Sequence, residues 1–237
     1  MSIRAVLFDW GGTVVRERQL ITSYPAGAIA AYARKHLHFA LRDADFERAL
    51  EAAMPDREPA PGDPAPSIHA IIAGAFTWLG WTVGTDDVDA CARLFFDAAY
   101  EGFDVYDDAR ALLPSLKYRG YSVGIVTNSI FPSRLLEVKA NQLGLSGYLD
   151  CIVSSADVGL AKPHPAIYER ALAEIRAGPH EALFVGDRVE TDVAGARAAG
   201  LRAVLLQRRG RRREGAGYLV IERLGALNEI LGEGQAG

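Results

Sequence analysis

Only two cysteines, Cys91 and Cys151, occur in the 237 residues, and neither has a second Cys or a His at metal-ligand spacing. This excludes a disulfide scaffold and a cysteine-based zinc site, and it predicts two buried thiols in a reducing compartment. No apolar stretch approaches the roughly 20 residues that a helix needs to span a bilayer. The five histidines share no spacing that suggests a metal cluster. Positive charge is not in excess either: 26 Lys and Arg stand against 30 Asp and Glu, a net charge of -4, so nothing global favours nucleic acid or an anionic membrane as partner. One basic run exists, Arg208-Arg209-Gly210-Arg211-Arg212-Arg213, and with no aromatic platform or reading helix beside it we expect a solvated loop. A strand-like run from Ile3 leaves no room for a leader peptide, so the expected location is the cytoplasm.

What is present is an alternation of short apolar runs with helical stretches. Ile3 to Phe8, Ser122 to Val126, Cys151 to Val153, Ala182 to Val185 and Arg202 to Leu206 are apolar on both sides of the pleat, as strands buried on two faces must be. Helical spacing of apolar residues covers Ser133 to Leu143, Pro165 to Ile175 and Thr191 to Ala199. Strand alternating with helix predicts an α/β fold with a doubly wound, Rossmann-like parallel sheet. The segment 17–102 breaks the rhythm: it is Ala-rich, holds no convincing buried strand, and predicts helices near Pro25 to Leu37, Asp43 to Ala53, Ser67 to Leu79 and Asp86 to Tyr100. We therefore expect a core built from 1–16 and 103–237 with an inserted α-helical cap domain, 17–102. The proline-rich stretch Pro55 to Pro66 precludes a regular helix and reads as a loop within that insert.

Ligands of an open parallel sheet bind beyond the carboxyl ends of its strands. The residues at those positions are Asp9, then Thr127 and Asn128, then Lys162, then Asp187 with Asp192. Two or three carboxylates suit a hard, oxygen-seeking cation such as Mg2+, while a lysine, a hydroxyl and the backbone of Gly11-Gly12 suit a phosphate. A small phosphorylated molecule is the expected substrate. Attack by Asp9 on its phosphorus would give an acyl-phosphate that water hydrolyses.

These segments, Phe8-Asp9-Trp10-Gly11-Gly12-Thr13, Val126-Thr127-Asn128-Ser129, Lys162-Pro163 and Val185-Gly186-Asp187-Arg188-Val189-Glu190-Thr191-Asp192, stand in an order that resembles the haloacid dehalogenase-like hydrolases. The resemblance covers nearly the whole chain. It implies a Rossmann-like core with a helical cap inserted after the first strand. It also implies Asp9 as nucleophile, Thr127 and Lys162 as phosphoryl ligands, and magnesium held by Asp9, the Gly11 carbonyl, Asp187 and Asp192. Gly11, Gly12 and Asn128 would then contact substrate.

One position departs from that pattern. Family phosphatases usually carry a second aspartate two residues after the nucleophile, as proton donor to the leaving group; here it is Gly11. General acid-base help is worth on the order of 100- to 10,000-fold. A phosphatase with a good leaving group or a borrowed acid is the reading we favour. A carbon-phosphorus or carbon-halogen hydrolase also fits a missing aspartate, since the Asp-Trp-Gly-Gly-Thr run is similar to that of phosphonoacetaldehyde hydrolases, but that chemistry needs a cap lysine and only Lys35 is on offer. Haloacid dehalogenases need no magnesium, which the pair Asp187 and Asp192 argues against. A catalytically silent phospho-ligand binding protein is the remaining alternative. Trp10, His164, Arg16, Tyr24, Arg34 and Arg57 are further candidates to face the substrate.

Overall fold

The computed structural model describes residues 2–17, 25–55, 63–209 and 217–233. Six strands form one parallel sheet: β1 (Ala5–Phe8), β4 (Ser122–Thr127), β5 (Cys151–Ser154), β6 (Ala182–Gly186), β7 (Arg202–Leu206) and β8 (Leu219–Ile221), in spatial order β5-β4-β1-β6-β7-β8. In chain order of the sheet strands this is 3-2-1-4-5-6, the doubly wound arrangement, and its direction of winding reverses at β1. Register is set by Ala5 opposite both Ser122 and Ala182, which brings the ends of β1, β4 and β6 level with one another.

The continuous apolar runs follow from burial of both sheet faces. Val6 and Phe8 of β1, with Leu183 and Val185 of β6, belong to one apolar cluster. Their neighbours Ala5, Leu7, Ala182 and Phe184 belong to the cluster on the opposite face. Successive side chains alternate between faces, so a strand covered on both can afford no polar position until it leaves the sheet. The covering helices are α5 (Asp107–Tyr118), α6 (Ser133–Gln142), the one-turn α7 (Ser155–Val158), α8 (Pro165–Glu174), α9 (Ala194–Ala198) and α10 (Leu227–Glu233). A wider π turn, Val189–Val193, leads into α9.

Between the core strands lie α1 (Ala26–Tyr32, continued by a π turn, Ala33–Leu37), α2 (Asp43–Ala53), α3 (Ile68–Trp78) and α4 (Thr85–Ala99). α1 packs on α2 and α4, and α3 on α2 and α4. This helical unit enters and leaves through a two-stranded antiparallel ribbon, β2 (Val15–Glu17) with β3 (Phe103–Val105), in which Arg16 faces Asp104. It is tied to the core again by Phe131, whose ring packs against those of Phe95, Phe96 and Tyr100.

The core strands and the four insert helices fall within about two residues of their sequence-based bounds. Not expected were the helices α5, α7 and α10, the strand β8 and the β2–β3 ribbon. α5 carries Pro114 in its interior, which argues against a helix in sequence terms. The three-residue strands β2, β3 and β8 are too short to show a period. Within the proline-rich loop, 56–62 lies outside the described residues. Its described end does not stay within the insert: Ala65 donates to the carbonyl of Gly159, and Pro64 bridges to Leu160 of the core.

Candidate active site

The candidate site occupies the crevice beside β1, where the winding reverses, as the strand-end rule requires. Asp9 follows β1 directly and its amide donates to the carbonyl of Val185 at 2.9 Å, extending the ladder by one step before the chain turns away. The turn is closed by Gly12 donating to Val15, and by Val14 and Val15 both donating to the carbonyl of Trp10. Gly12 adopts a φ of +74°, and a Cβ there would meet Asp187 Oδ2 at 2.4 Å, so only glycine serves. Gly186, the last residue of β6, is constrained likewise: its Cβ would lie 2.4 Å from the Asp192 carboxylate.

Lys162 is the centre of the constellation. Its Nζ donates to Asp9 Oδ1 at 2.6 Å and to Asp192 Oδ1 at 2.7 Å, and its side chain is 3% exposed. Asn128 holds the lysine backbone at two points, accepting from its N–H at 2.7 Å and donating to its carbonyl at 3.0 Å. Asn128 thus orients Lys162, besides lining the cavity. Asp192 is fixed through its other oxygen by the amide of Arg188 at 2.9 Å. Tyr168 donates to the carbonyls of Thr191 and Asp192 behind it.

Burial raises the Asp9 carboxyl to about 6, against the pull of the Lys162 ammonium beside it, and the charge of Asp192 adds to the rise. Burial alone would lower Lys162, but the charges of Asp9 and Asp192 outweigh it and hold its proton more tightly than usual. Asp187, at the mouth of the crevice, is raised by partial burial and by Asp192.

Oxygens of Asp9, Asp187 and Asp192 lie within 4.8 Å of one another. Three carboxylates against one ammonium leave a net charge of -2 at full ionisation, which a divalent cation would balance. The donor set is all oxygen, as a hard cation prefers, and Gly12 and Gly186 keep clear the space that two of these carboxylates occupy. The residues fit a divalent metal.

The surrounding cavity has a volume of about 530 Å³. It collects every site residue expected from the sequence: Asp9, Gly11, Gly12, Thr127, Asn128, Lys162, Asp187 and Asp192. Residues assigned no role from sequence complete it: the apolar lining includes Tyr100, Phe103, Pro66 and Ile130, and the polar lining Ser129, Ser155, Arg188 and Thr191. The strand-end rule applied to β5 would have found Ser155, whose hydroxyl donates to the Ser129 carbonyl and accepts from the Ser129 amide, stapling the loop after β4. The apolar lining had no such signal. A second cavity, about 640 Å³, lies at the opposite ends of the strands near Ile3, Leu183 and Leu219, with no carboxylate in its lining.

Trp10 both lines the cavity and packs into the core, at 2% exposure. The other candidates lie elsewhere. His164 caps α8, its Nδ1 accepting from the Ala166 amide. Arg34 binds the Leu41 carbonyl and Asp43, and Arg16 pairs with Asp104 in the ribbon. Tyr24 and Arg57 fall outside the described residues. Lys35 is exposed and does not line the cavity. Of the basic run, 210–213 lies outside the described residues, and Arg208 is not a solvated side chain: it binds two backbone carbonyls and Asp108. Both cysteines are free and buried, with burial pushing each thiol up to about 12. Among the described residues no helix is long and apolar enough to cross a membrane.

Comparison with known proteins agrees with this fold. A family model described as haloacid dehalogenase-like hydrolase matches residues 3–200. The chain is similar to a phosphoserine phosphatase of Thermus thermophilus, 34% identical over 54% of this chain and 50% of that protein, so the match spans about half of the relative's length. It is 28% identical to a glyceraldehyde 3-phosphate phosphatase of Methanopyrus kandleri, over 87% of this chain and 84% of the relative. Among solved structures, a HAD phosphatase from Thermococcus onnurineus superposes with a TM-score of 0.64 at 27% identity, covering 97% of this chain and 98% of that one.

Proposed function

Since the chain belongs to the haloacid dehalogenase-like hydrolases, we propose that it is a magnesium-dependent phosphatase of a small phosphorylated metabolite, with Asp9 as the nucleophile. The observation that carries this reading is the buried chain Asp9–Lys162–Asp192, with Asp187 within ligand distance, at the switch point of the sheet. A carboxylate oxygen of Asp9 attacks phosphorus, the bond to the leaving oxygen breaks, and an aspartyl-phosphate forms; water then attacks that phosphorus and frees Asp9. The Lys162 ammonium, 2.6 Å from Asp9, is placed to contact a phosphoryl oxygen as charge shifts onto it. Thr127 and the backbone of Gly11 and Gly12 supply further contacts to the phosphoryl group, and Asn128 keeps the lysine aimed. Asp9, the Gly11 carbonyl, Asp187 and Asp192 would hold magnesium, which when bound screens the repulsion between a phosphate and the carboxylates.

In this reading 1–16 and 103–237 are the catalytic core, and 17–102 is the cap that selects the substrate through residues such as Pro66 and Tyr100. The names of the relatives support a phosphatase, and the two free thiols suit a reducing cytoplasm. Exposure of Lys35 away from the cavity counts against Schiff-base chemistry of the phosphonoacetaldehyde hydrolase kind. A panel of phosphate esters assayed with and without magnesium, alongside Asp9→Asn, tests the proposal: phosphate release should require the metal and vanish in the variant. Turnover undiminished in Asp9→Asn would remove the nucleophile assignment. Binding of phosphate analogues with no release from any ester would leave a silent binder.

A further inference from the structure

We propose that Arg208 is a positioning residue for the nucleophile turn, fixing Gly12 and Thr13 from behind; its link to catalysis, though not the contact itself, rests on the reading of Asp9 above. Arg208 leaves β7 at the same end of the sheet as Asp9, yet it does not line the cavity. Its guanidinium donates through Nε to the carbonyl of Gly12 at 3.2 Å and through Nη2 to that of Thr13 at 2.8 Å. On its other side it makes a bidentate pair with Asp108 in the first turn of α5, at 2.9 and 3.0 Å. Its Cζ lies 3.7 Å from the ring centroid of Tyr106, which directly follows the ribbon strand β3. Asp108 is itself anchored by the amide of Leu224, and its side chain is only 24% exposed.

The geometry gives this strut a specific task. Gly12 is held between Arg208, on its carbonyl, and the Asp187 carboxylate, against which its Cα packs so closely that no side chain fits. Displacing Gly12 therefore moves the turn that follows Asp9 relative to Asp187. A planar fork of donors meets two carbonyls and a carboxylate at once, which a lysine ammonium on a flexible stem cannot reproduce. The same guanidinium also joins the nucleophile turn to the end of the ribbon through which 17–102 is attached, so the turn and the insert share one support.

Arg208→Ala tests this, read by kcat and KM on p-nitrophenyl phosphate and by amide hydrogen exchange at Gly12, Val14 and Val15, whose N–H groups close the turn. We expect kcat to fall on the order of 10- to 100-fold with KM nearly constant, since a small misplacement of reacting groups costs that much. Exchange at those three amides should quicken about tenfold or more, because their bonds then open more often. Arg208→Lys should recover part of the loss, and millimolar guanidinium should rescue Arg208→Ala but not Asp9→Asn. A folded Arg208→Ala with wild-type kcat and unchanged exchange at the turn would overturn the inference, as would a loss of kcat that guanidinium leaves untouched. If Arg208→Ala does not fold, Asp108→Asn takes its place, with faster exchange at the same amides expected and unchanged exchange refuting. Faster exchange in a protein whose wild type releases no phosphate would leave the strut standing and sink the phosphatase reading instead.

Discussion

Gly11→Asp should convert an enzyme limited by its leaving group into one that is not. Gly11 is exposed in the cavity, a Cβ built on it meets nothing within 4 Å, and its backbone is not among the left-handed glycines. A Cβ therefore enters without a packing cost, and the gain from a stiffer unfolded chain is opposed by placing a fourth carboxylate beside a site of net charge -2 until a cation is bound. The described carboxylates that line the cavity are Asp9, Asp187 and Asp192, which the proposed function assigns to nucleophile and metal, and Lys162 is shared between two of them. A positioned general acid contributes on the order of 100- to 10,000-fold, or about 2.7–5.4 kcal/mol of barrier at 1.36 kcal/mol per tenfold. The gain should appear only where the leaving oxygen needs a proton. The assay is kcat/KM across aryl and alkyl phosphates of graded leaving-group pKa. In the wild type the rate should fall steeply as that pKa rises; in Gly11→Asp the slope should flatten, with alkyl esters accelerated and p-nitrophenyl phosphate little changed. A wild type with an already shallow slope, and a variant no faster on alkyl esters, would mean that another group delivers the proton.

Lys162→Met should leave Asp9 and Asp192 facing each other without their cation, at a cost of about 3–5 kcal/mol in chelator. Chemical denaturation should show a smaller loss at pH 5 than at pH 8, because Asp9 can then take up a proton. In the metal-free wild type the folded Asp9 keeps its proton up to about pH 6 whereas the unfolded carboxyl releases it near 3.8. The native state therefore binds more protons between those values, and the contribution of Asp9 to stability, present below 3.8, is lost as pH rises through 6. Asp9→Asn should abolish that slope, and kcat/KM should decline on acidification with an apparent pKa at or below 6, since a bound cation opposes protonation. Gly186→Ala should drive a Cβ into the Asp192 carboxylate; isothermal titration should show weakened magnesium binding, while circular dichroism shows the fold kept.

The parallel sheet and most of the site were legible in the sequence for one physical reason. A strand buried on both faces must be apolar at every position, so its end is marked by the first polar residue, and that residue is where a ligand can be met. Asp9, Thr127 and Asp187 sit at or directly beyond such ends, and the departure at Gly11 was visible in the same way, whereas Lys162 and Asp192 lie eight and six residues past the ends of β5 and β6. Tertiary structure alone decided what lies across the crevice and behind it. Tyr100, Phe103 and Pro66 come from the end of the insert, from the three-residue strand β3 and from the proline-rich loop, none of which shows a period in sequence, and their place depends on the β2–β3 ribbon and on the docking of Ala65 against Gly159. Arg208 reads in sequence as one charge in a basic run; its partners, Gly12, Thr13 and Asp108, lie 100 or more positions away, and a charge is assigned its role by what folding brings to it. Local pattern records which side chains must leave water, and only the closed fold determines which polar groups then meet.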